Sequence, residues 1–249
     1  SVGSHRVIRG GVWNYNASNC RSAYRNYSTP SFRSNGDGFR CVSVLNAPAT
    51  TASVTPQPAA PAPASAKLFM HDPAFPQWLK DVQAMPAEQQ VEAVRKKLVE
   101  LNPGFDGSLS AYSRSNPPKV TNGVVTEFGF DAKMITDLSP VRALTNLQVL
   151  NCSAGPVSPR GKLADLSPLQ GMKLGLLYCS NTSISDLSPL HGMPLNSLFC
   201  DNVLVTDFSP LAGMNLVKLV CDDTPVSDIE VLQNHSSLKN LIIRRTKVT

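Results

Sequence analysis

The chain has 249 residues, 42% hydrophobic and 16% charged, enough apolar material for a sizeable core. It contains no apolar run of the roughly eighteen residues that a membrane-spanning helix needs, so no membrane contact is expected within these residues. The net charge of +5 sits in the first segment, where Arg6, Arg9, Arg21, Arg25, Arg33 and Arg40 face Asp37 alone; elsewhere the signs balance, which argues against nucleic acid as a partner.

The sequence opens at Ser1 without a Met or a signal-peptide pattern, so a piece of a longer protein is expected. Within residues 1–46, Gly10-Gly11 suits a turn, Gly36 and Gly38 suit a hairpin, and Trp13 and Tyr24 offer packing surface. Three runs stand out: residues 6–13 (RVIRGGVW), 21–25 (RSAYR) and 38–40 (GFR). They resemble the C-terminal end of the formylglycine-generating-enzyme (sulfatase-modifying-factor) family. The resemblance implies a truncated mixed α+β, C-type-lectin-like domain fragment. In members that oxidise a sulfatase cysteine, two copper-binding cysteines precede the R-x-A-x-R run. Here residues 12–20 hold only Cys20. Copper would lack its second soft ligand, so no catalytic residue, metal or cofactor is expected among the residues present. The family also implies a bacterial multi-domain protein, with a kinase or membrane anchor upstream as one arrangement. An oxidase whose catalytic portion lies upstream is the alternative function.

Residues 47–66 contain five Pro and eight Ala with no charged or aromatic side chain. Such a stretch buries too little apolar area to offset its ordering entropy, and its prolines favour an extended chain. It reads as a linker, able to span about 60 Å at the roughly 3.1 Å per residue of polyproline geometry.

Residues 67–119 are expected to form a helical cap and connection. Phe75, Trp78, Leu79 and Val82 have helical spacing, and Pro86 opens a second run with a stripe of Val91, Val94, Leu98 and Leu101. Asn102-Pro103-Gly104 stops it. The mixed charges on the polar face fit packed helices rather than a membrane-surface helix.

Residues 120–249 carry a repeat. Asp137-Leu138-Ser139-Pro140 recurs at Asp165, Asp186 and Asp207, and in degenerate form at Asp228-Ile229. A second pattern, Leu174-x-x-Leu177-x-Cys179-x-x-Thr182-x-Ile184, returns from Leu195, Leu216 and Leu238. Earlier copies run through Val125, Phe128, Phe130 and Ile135, then Leu147, Leu150 and Cys152 with an insertion over residues 156–162. A period near 21 residues describes one short strand and a tight return per coil, and coils this small must stack to share a core. Leu177, Cys179, Thr182 and Ile184 should point inward; Ser188 should cap the return, with Pro189 at its first position and Asp186 bracing the turn. Leu190 and Met193 close the far wall, and Gly192 allows the turn back.

This pattern resembles the leucine-rich-repeat family in its short bacterial form with a D-L-S-P-L return. The implied fold is an α/β solenoid: about six coils with short parallel strands and an N-terminal helical cap. The family's usual Asn is replaced by Thr182, Val203, Thr224 and Thr246, so its ladder of amides cannot form.

Cys152, Cys179, Cys200 and Cys221 occupy one site in successive coils. Neighbouring strands lie about 4.8 Å apart with parallel Cβ directions, a poor disulfide geometry. With no C-x-x-C and no His at matching spacing, a metal site is not expected either. Buried thiols fit best and favour a reducing, cytoplasmic compartment, although no targeting signal is readable. No P-loop, H-E-x-x-H or G-x-S-x-G occurs, and His5, His71, His191 and His235 are scattered.

Between the inward leucines lie outward columns. One runs Gly129, Asn151, Tyr178, Phe199, Val220 and Ile242; beside it run Asp131, Ser153, Ser180, Asp201 and Asp222, then Asn181, Asn202 and Asp223. Tyr178, Phe199, Val220 and Ile242 form an apolar ladder expected to face solvent, flanked by Asp201, Asn202, Asp222 and Asp223. Aromatics beside carboxylates suit a protein or peptide partner with a basic, apolar segment. The expected function is therefore protein–protein recognition by the concave face, in a scaffolding or signalling role.

Overall fold

The computed structural model describes residues 6–9, 25–28, 68–110, 116–155 and 159–248. The chain divides into two compact units, Ser1–Ala60 and Pro61–Thr249, and the division falls inside the expected linker. In the first unit β1 (Arg6–Arg9) pairs antiparallel with β2 (Arg25–Ser28), Arg6 opposite Ser28. The linker, Cys20 and the remaining residues of the formylglycine-generating-enzyme-like runs lie outside the described residues.

The second unit begins with a 3₁₀ turn, Phe69–His71, followed by α1 (Phe75–Gln83) and α2 (Ala87–Leu101). Pro86 separates the helices because its ring cannot continue α1 but suits the start of α2. Val94 and Leu98 are fully buried in the same core as the coils, with Val91 packed against it. The stop at Asn102 does more than end α2. Asn102 is buried; its amide donates to the carbonyls of Leu98 (2.8 Å) and Asp137 (3.1 Å), and its carbonyl accepts the backbone N–H groups of Thr136 (2.7 Å) and Asp137 (2.9 Å). One side chain thus joins the end of α2 to the first return turn.

Two short strands follow that the sequence did not announce: β3 (Leu109–Ser110) and β4 (Lys119–Thr121), both antiparallel to β5 (Val124–Phe130). The β4–β5 connection is Asn122-Gly123, both with positive φ (51° and 75°), as a two-residue hairpin requires. β4 crosses the expected boundary at residue 119.

From β5 onward the sheet is parallel. β6 (Val149–Asn151), β7 (Leu176–Tyr178), β8 (Ser197–Phe199), β9 (Lys218–Val220) and β10 (Asn240–Ile242) lie side by side in chain order. The register places Phe128, Leu150, Leu177, Leu198, Leu219 and Leu241 in one row. The first five are fully buried, each contributing about 2 kcal/mol of hydrophobic stabilisation. This is a solenoid: the stacked strands share one continuous core.

The return turns are 3₁₀ segments at Ser139–Ala143, Ser167–Leu169, Ser188–Leu190 and Ser209–Leu211, with Pro in the first turn of each. The expected Ser cap is replaced by an Asp brace. Asp186 Oδ1 accepts the Ser188 N–H (2.7 Å), while Ser188 Oγ donates to Asp186 Oδ2 (2.6 Å); Asp207 and Ser209 repeat this pairing. A carboxylate two residues upstream reaches that N–H in an Asx turn, and the hydroxyl then binds the carboxylate instead of the helix. These hydrogen bonds from Ser188 and Ser209 hold the carboxyls of Asp186 and Asp207 below the usual range. In the first coil Asp137 Oδ1 keeps its brace on the Ser139 N–H (2.7 Å), while Oδ2 accepts the Phe69 N–H (2.7 Å) and Ser139 Oγ accepts that of Met70 (3.0 Å). Gly192 turns the chain back with φ 71°.

Candidate functional site

The exposed face of the parallel sheet carries the outward columns. Strand register aligns Gly129, Asn151, Tyr178, Phe199, Val220 and Ile242 in one row. Tyr178 and Phe199 stack at 4.3 Å between centroids with planes 18° apart, as cross-strand aromatics in register do. Both rings and Ile242 are half-buried. Val220 is not the solvent-facing residue expected: it lies between Phe199 and Ile242 and is only 8% exposed. Larger neighbours on both sides shield a short β-branched side chain.

The row two residues upstream belongs to the same face: Glu127, Val149, Leu176, Ser197, Lys218 and Asn240. Half-buried Val149 and Leu176 extend the apolar patch toward the first coil, a continuation that the same two-residue alternation would have disclosed. Lys218 lies over the Phe199 ring, its Nζ 4.9 Å from the centroid.

The row two residues downstream forms a hydrogen-bonded column between coils. Ser153 Oγ accepts the Ser180 N–H (3.1 Å), and Ser180 Oγ accepts that of Asp201 (3.1 Å). Asp201 Oδ1 accepts the Asp222 N–H (3.0 Å), and Asp222 Oδ1 accepts that of Arg244 (2.6 Å). The amide ladder is absent at Thr182, Thr224 and Thr246, whose hydroxyls instead donate to the carbonyls of Cys179, Cys221 and Ile243 within their own coils. The column beside the sheet carries the bonding between coils.

That column changes the electrostatics expected of the site. Asp222 is 6% exposed and paired with Arg244 (2.7 Å), and the Arg245 guanidinium grips Asp223, holding its carboxyl below the usual range. Asp201 spends one oxygen on the Asp222 N–H and the other on Ser180 Oγ (3.0 Å). Arg160, from the insertion, donates to the carbonyl and side-chain oxygens of Asn202 (2.9 and 3.0 Å), while Asn202 donates to Asn181 Oδ1 (3.0 Å). Asn181, Asn202, Asp223 and Arg245 hold one left-handed turn position in successive coils, φ 52–59°, a conformation Asn and Asp tolerate. Asp222 and Asp223 are therefore neutralised internally, and the oxygens of Asp201 are taken up by hydrogen bonds within the column. Sequence spacing could not show this, because each cationic partner comes from another coil or from the insertion.

Cys152, Cys179, Cys200 and Cys221 are buried free thiols. Burial pushes the Cys152 thiol up to about 12 and raises Cys179 likewise, while a hydrogen bond with Cys221 and burial raise Cys200. The thiols of Cys152, Cys179 and Cys221 point at the carbonyls of Tyr178, Phe199 and Ile242 in the next strand. Among the described residues no group of three His, Cys, Asp or Glu side chains is placed to hold a metal ion. His235 is buried, its ring nitrogens against the carbonyls of Leu211 (2.8 Å) and Val231 (3.2 Å). No described helix is long and apolar enough to cross a membrane.

No family model matches this chain, and no curated protein does. Among solved structures, internalin C2 from Listeria monocytogenes is similar at 31% identity over 46% of this chain and 50% of its own, with a TM-score of 0.40. An internalin (inlF) from the same organism is similar at 27% identity over 46% of this chain and 39% of its own, also at 0.40. The chain thus spans half or less of the length of these relatives. Strand register and burial define the solenoid.

Proposed function

We propose that the sheet face of the solenoid recognises a protein or peptide partner, serving a scaffolding or signalling role within a larger bacterial multi-domain protein. One observation carries this: Leu176, Tyr178, Phe199 and Ile242 lie in two register-aligned rows on parallel strands, half-exposed, with the two rings already stacked. Rigid aromatics at the centre of a strand-held face cost little ordering entropy on binding, which suits them as anchors. Helices α1 and α2 serve as the N-terminal cap, since their buried residues share the core of the first coil.

The partner's contact segment is apolar rather than strongly basic. Asp222 and Asp223 are matched by Arg244 and Arg245, and Lys218 stands beside Phe199, so the face offers no surplus of negative charge. The alternative of an upstream oxidase has no observation in its favour, because Cys20 lies outside the described residues and the four described thiols are buried.

The test is affinity capture from the source organism with the wild-type chain, a Tyr178→Ser/Phe199→Ser variant and a Leu204→Ser control. Leu204 is 42% exposed and lies outside the rows on the sheet face. A partner retained by wild type and control, and lost from the double variant, supports the assignment. Equal capture by all three overturns it.

A further inference from the structure

One segment of this chain shows how the return turns can be occupied. The turn Phe69–His71 is a strap across the first two of them. The Phe69 N–H donates to Asp137 Oδ2 (2.7 Å) and the Met70 N–H to Ser139 Oγ (3.0 Å), while the Ser167 hydroxyl of the next return reaches Met70 Sδ (3.9 Å). Met70 thus bridges two successive Asp-x-Ser corners. With the strap and the helical cap against them, Asp137 and Ser139 are buried. Later corners are built alike and stand bare. Asp186, Ser188, Asp207 and Ser209 are exposed, although each corner has a coil on either side.

Between the Asp207 corner and the next lies a cavity of about 100 Å³, lined by Thr206, Asp207, Phe208, Ser209, Asp228 and Val231. Its place is the one Met70 takes between Ser139 and Ser167, moved along the stack by the repeat. It has room for one side chain, since a cavity of about 150 Å³ holds a benzene. Asp207 Oδ2 and Ser209 Oγ, bonded to each other at 2.7 Å, both keep lone pairs for a further donor.

The walls select what can enter. Phe208 and Val231 offer apolar surface, but Asp207 and Asp228 have no cation paired to them among the described residues. Hydrogen bonds from the Ser209 side chain and backbone hold the Asp207 carboxyl below the usual range, and its charge opposes that of Asp186. Among the described residues these carboxylates are not grouped to hold a metal ion, so the complementary cation is one carried on a side chain. An unbranched apolar stem with a charged end suits the site. Both Asp207 oxygens already accept from Ser209, which leaves no open fork for a guanidinium and favours the compact ammonium of lysine.

We propose that the cleft between the Asp207 and Asp228 corners is a second docking site, distinct from the sheet face, for a lysine carried on a turn of another protein. The turn seats as Phe69–His71 does on the first corner. The residue before the lysine donates its N–H to Asp207 Oδ2, and the lysine donates its own to Ser209 Oγ. Its stem lies against Phe208 and Val231, and its ammonium reaches Asp228.

Fluorescein-labelled heptapeptides Gly-Ser-Ala-X-Ala-Ser-Gly, with Lys or Met at X, test this by anisotropy against the whole chain. The Lys peptide should bind at least about tenfold more tightly than the Met peptide, and about 0.5 M salt should weaken it. Pro in place of the Ala before Lys removes the N–H that Asp207 would accept and should cost about tenfold. Ser209→Ala and Asp228→Asn should each weaken the Lys peptide about fivefold, with thermal midpoints recorded alongside. Equal affinity for the Lys and Met peptides, or no binding of either, overturns the proposal. Binding that survives Ser209→Ala and Asp228→Asn but is lost in Phe199→Ser assigns the peptide to the sheet face and overturns it too. Concentration-dependent self-association in sedimentation, abolished by Ser209→Ala, would make a second copy the occupant and likewise overturn it.

Discussion

The first and last described coils of the solenoid are bounded differently. At the first coil, α2 lays Val94 and Leu98 on the core, β3 and β4 occupy the edge of β5, and Asn102 and Asp137 bind the pieces together through buried hydrogen bonds. At β10 nothing described covers the edge, and Leu241 is exposed where Leu219 is fully buried. A residue at one register position is thus core or surface according to whether a neighbour follows it. In a stacked fold, burial belongs to the interface between coils rather than to the residue type.

Phe128→Ala and Leu241→Ala occupy the same row, and the contrast between them is the sharpest way to break this comparison. Phe128→Ala should destabilise by about 4 kcal/mol, because a fully buried ring leaves a cavity, whereas Leu241→Ala should cost no more than about 0.5 kcal/mol. Chemical denaturation of the two variants measures both, and similar losses would mean that the ends do not differ. Asn102→Ala should cost about 3 kcal/mol, since it leaves buried N–H groups of Thr136 and Asp137 without their acceptor. If Asn102→Ala denatures at the wild-type midpoint, the proposed tie between α2 and the first coil is incidental.

Smaller effects test the coils between. The thiols of Cys152 and Cys179 are pushed above their ordinary value because burial opposes the thiolate, and that of Cys200 by its hydrogen bond with Cys221 and then by burial. A folded-state pKa above the unfolded one gives stability that is complete below the unfolded value, about 8.5, and is lost as pH rises beyond it. Stability should therefore fall from about pH 9 upward, and mapped alkylation should find these thiols protected until the chain unfolds. Asp186 and Asp207 have the opposite sign: their lowered pKa gives stability present above about pH 4 and lost as pH falls through the folded value. Asp186→Ala should cost roughly 1 kcal/mol at neutral pH, as loss of a helix cap does, and should flatten that acid limb. An unchanged acid limb would remove the Asp brace from the list of stabilising contacts.

Much of this was legible in the sequence. The recurring Asp-Leu-Ser-Pro and Leu-x-x-Leu-x-Cys patterns gave the strand register residue by residue, because only one phase buries Leu177, Leu198 and Leu219 together. Pro86 and Asn102 marked the helix ends. The Asn122-Gly123 hairpin was also written there, at the start of the repeat interval where only the inward residues of the first coil were read, and Val149 and Leu176, two residues upstream of the aromatic row, follow from the same alternation. The Ser cap failed for a local reason: the Ser188 hydroxyl is spent on Asp186 Oδ2.

What the sequence determined by itself is the coil: its length, its inward residues, its bracing turn and the phase in which coils must align. These follow from side-chain alternation and backbone geometry within about twenty residues. Only the tertiary structure decided which outward residues remain available, since Val220 is shielded and Asp222 neutralised by side chains one coil away. It decided likewise that Asn202 is bonded by Arg160, because exposure and charge are set by neighbours that stacking, not chain order, brings near.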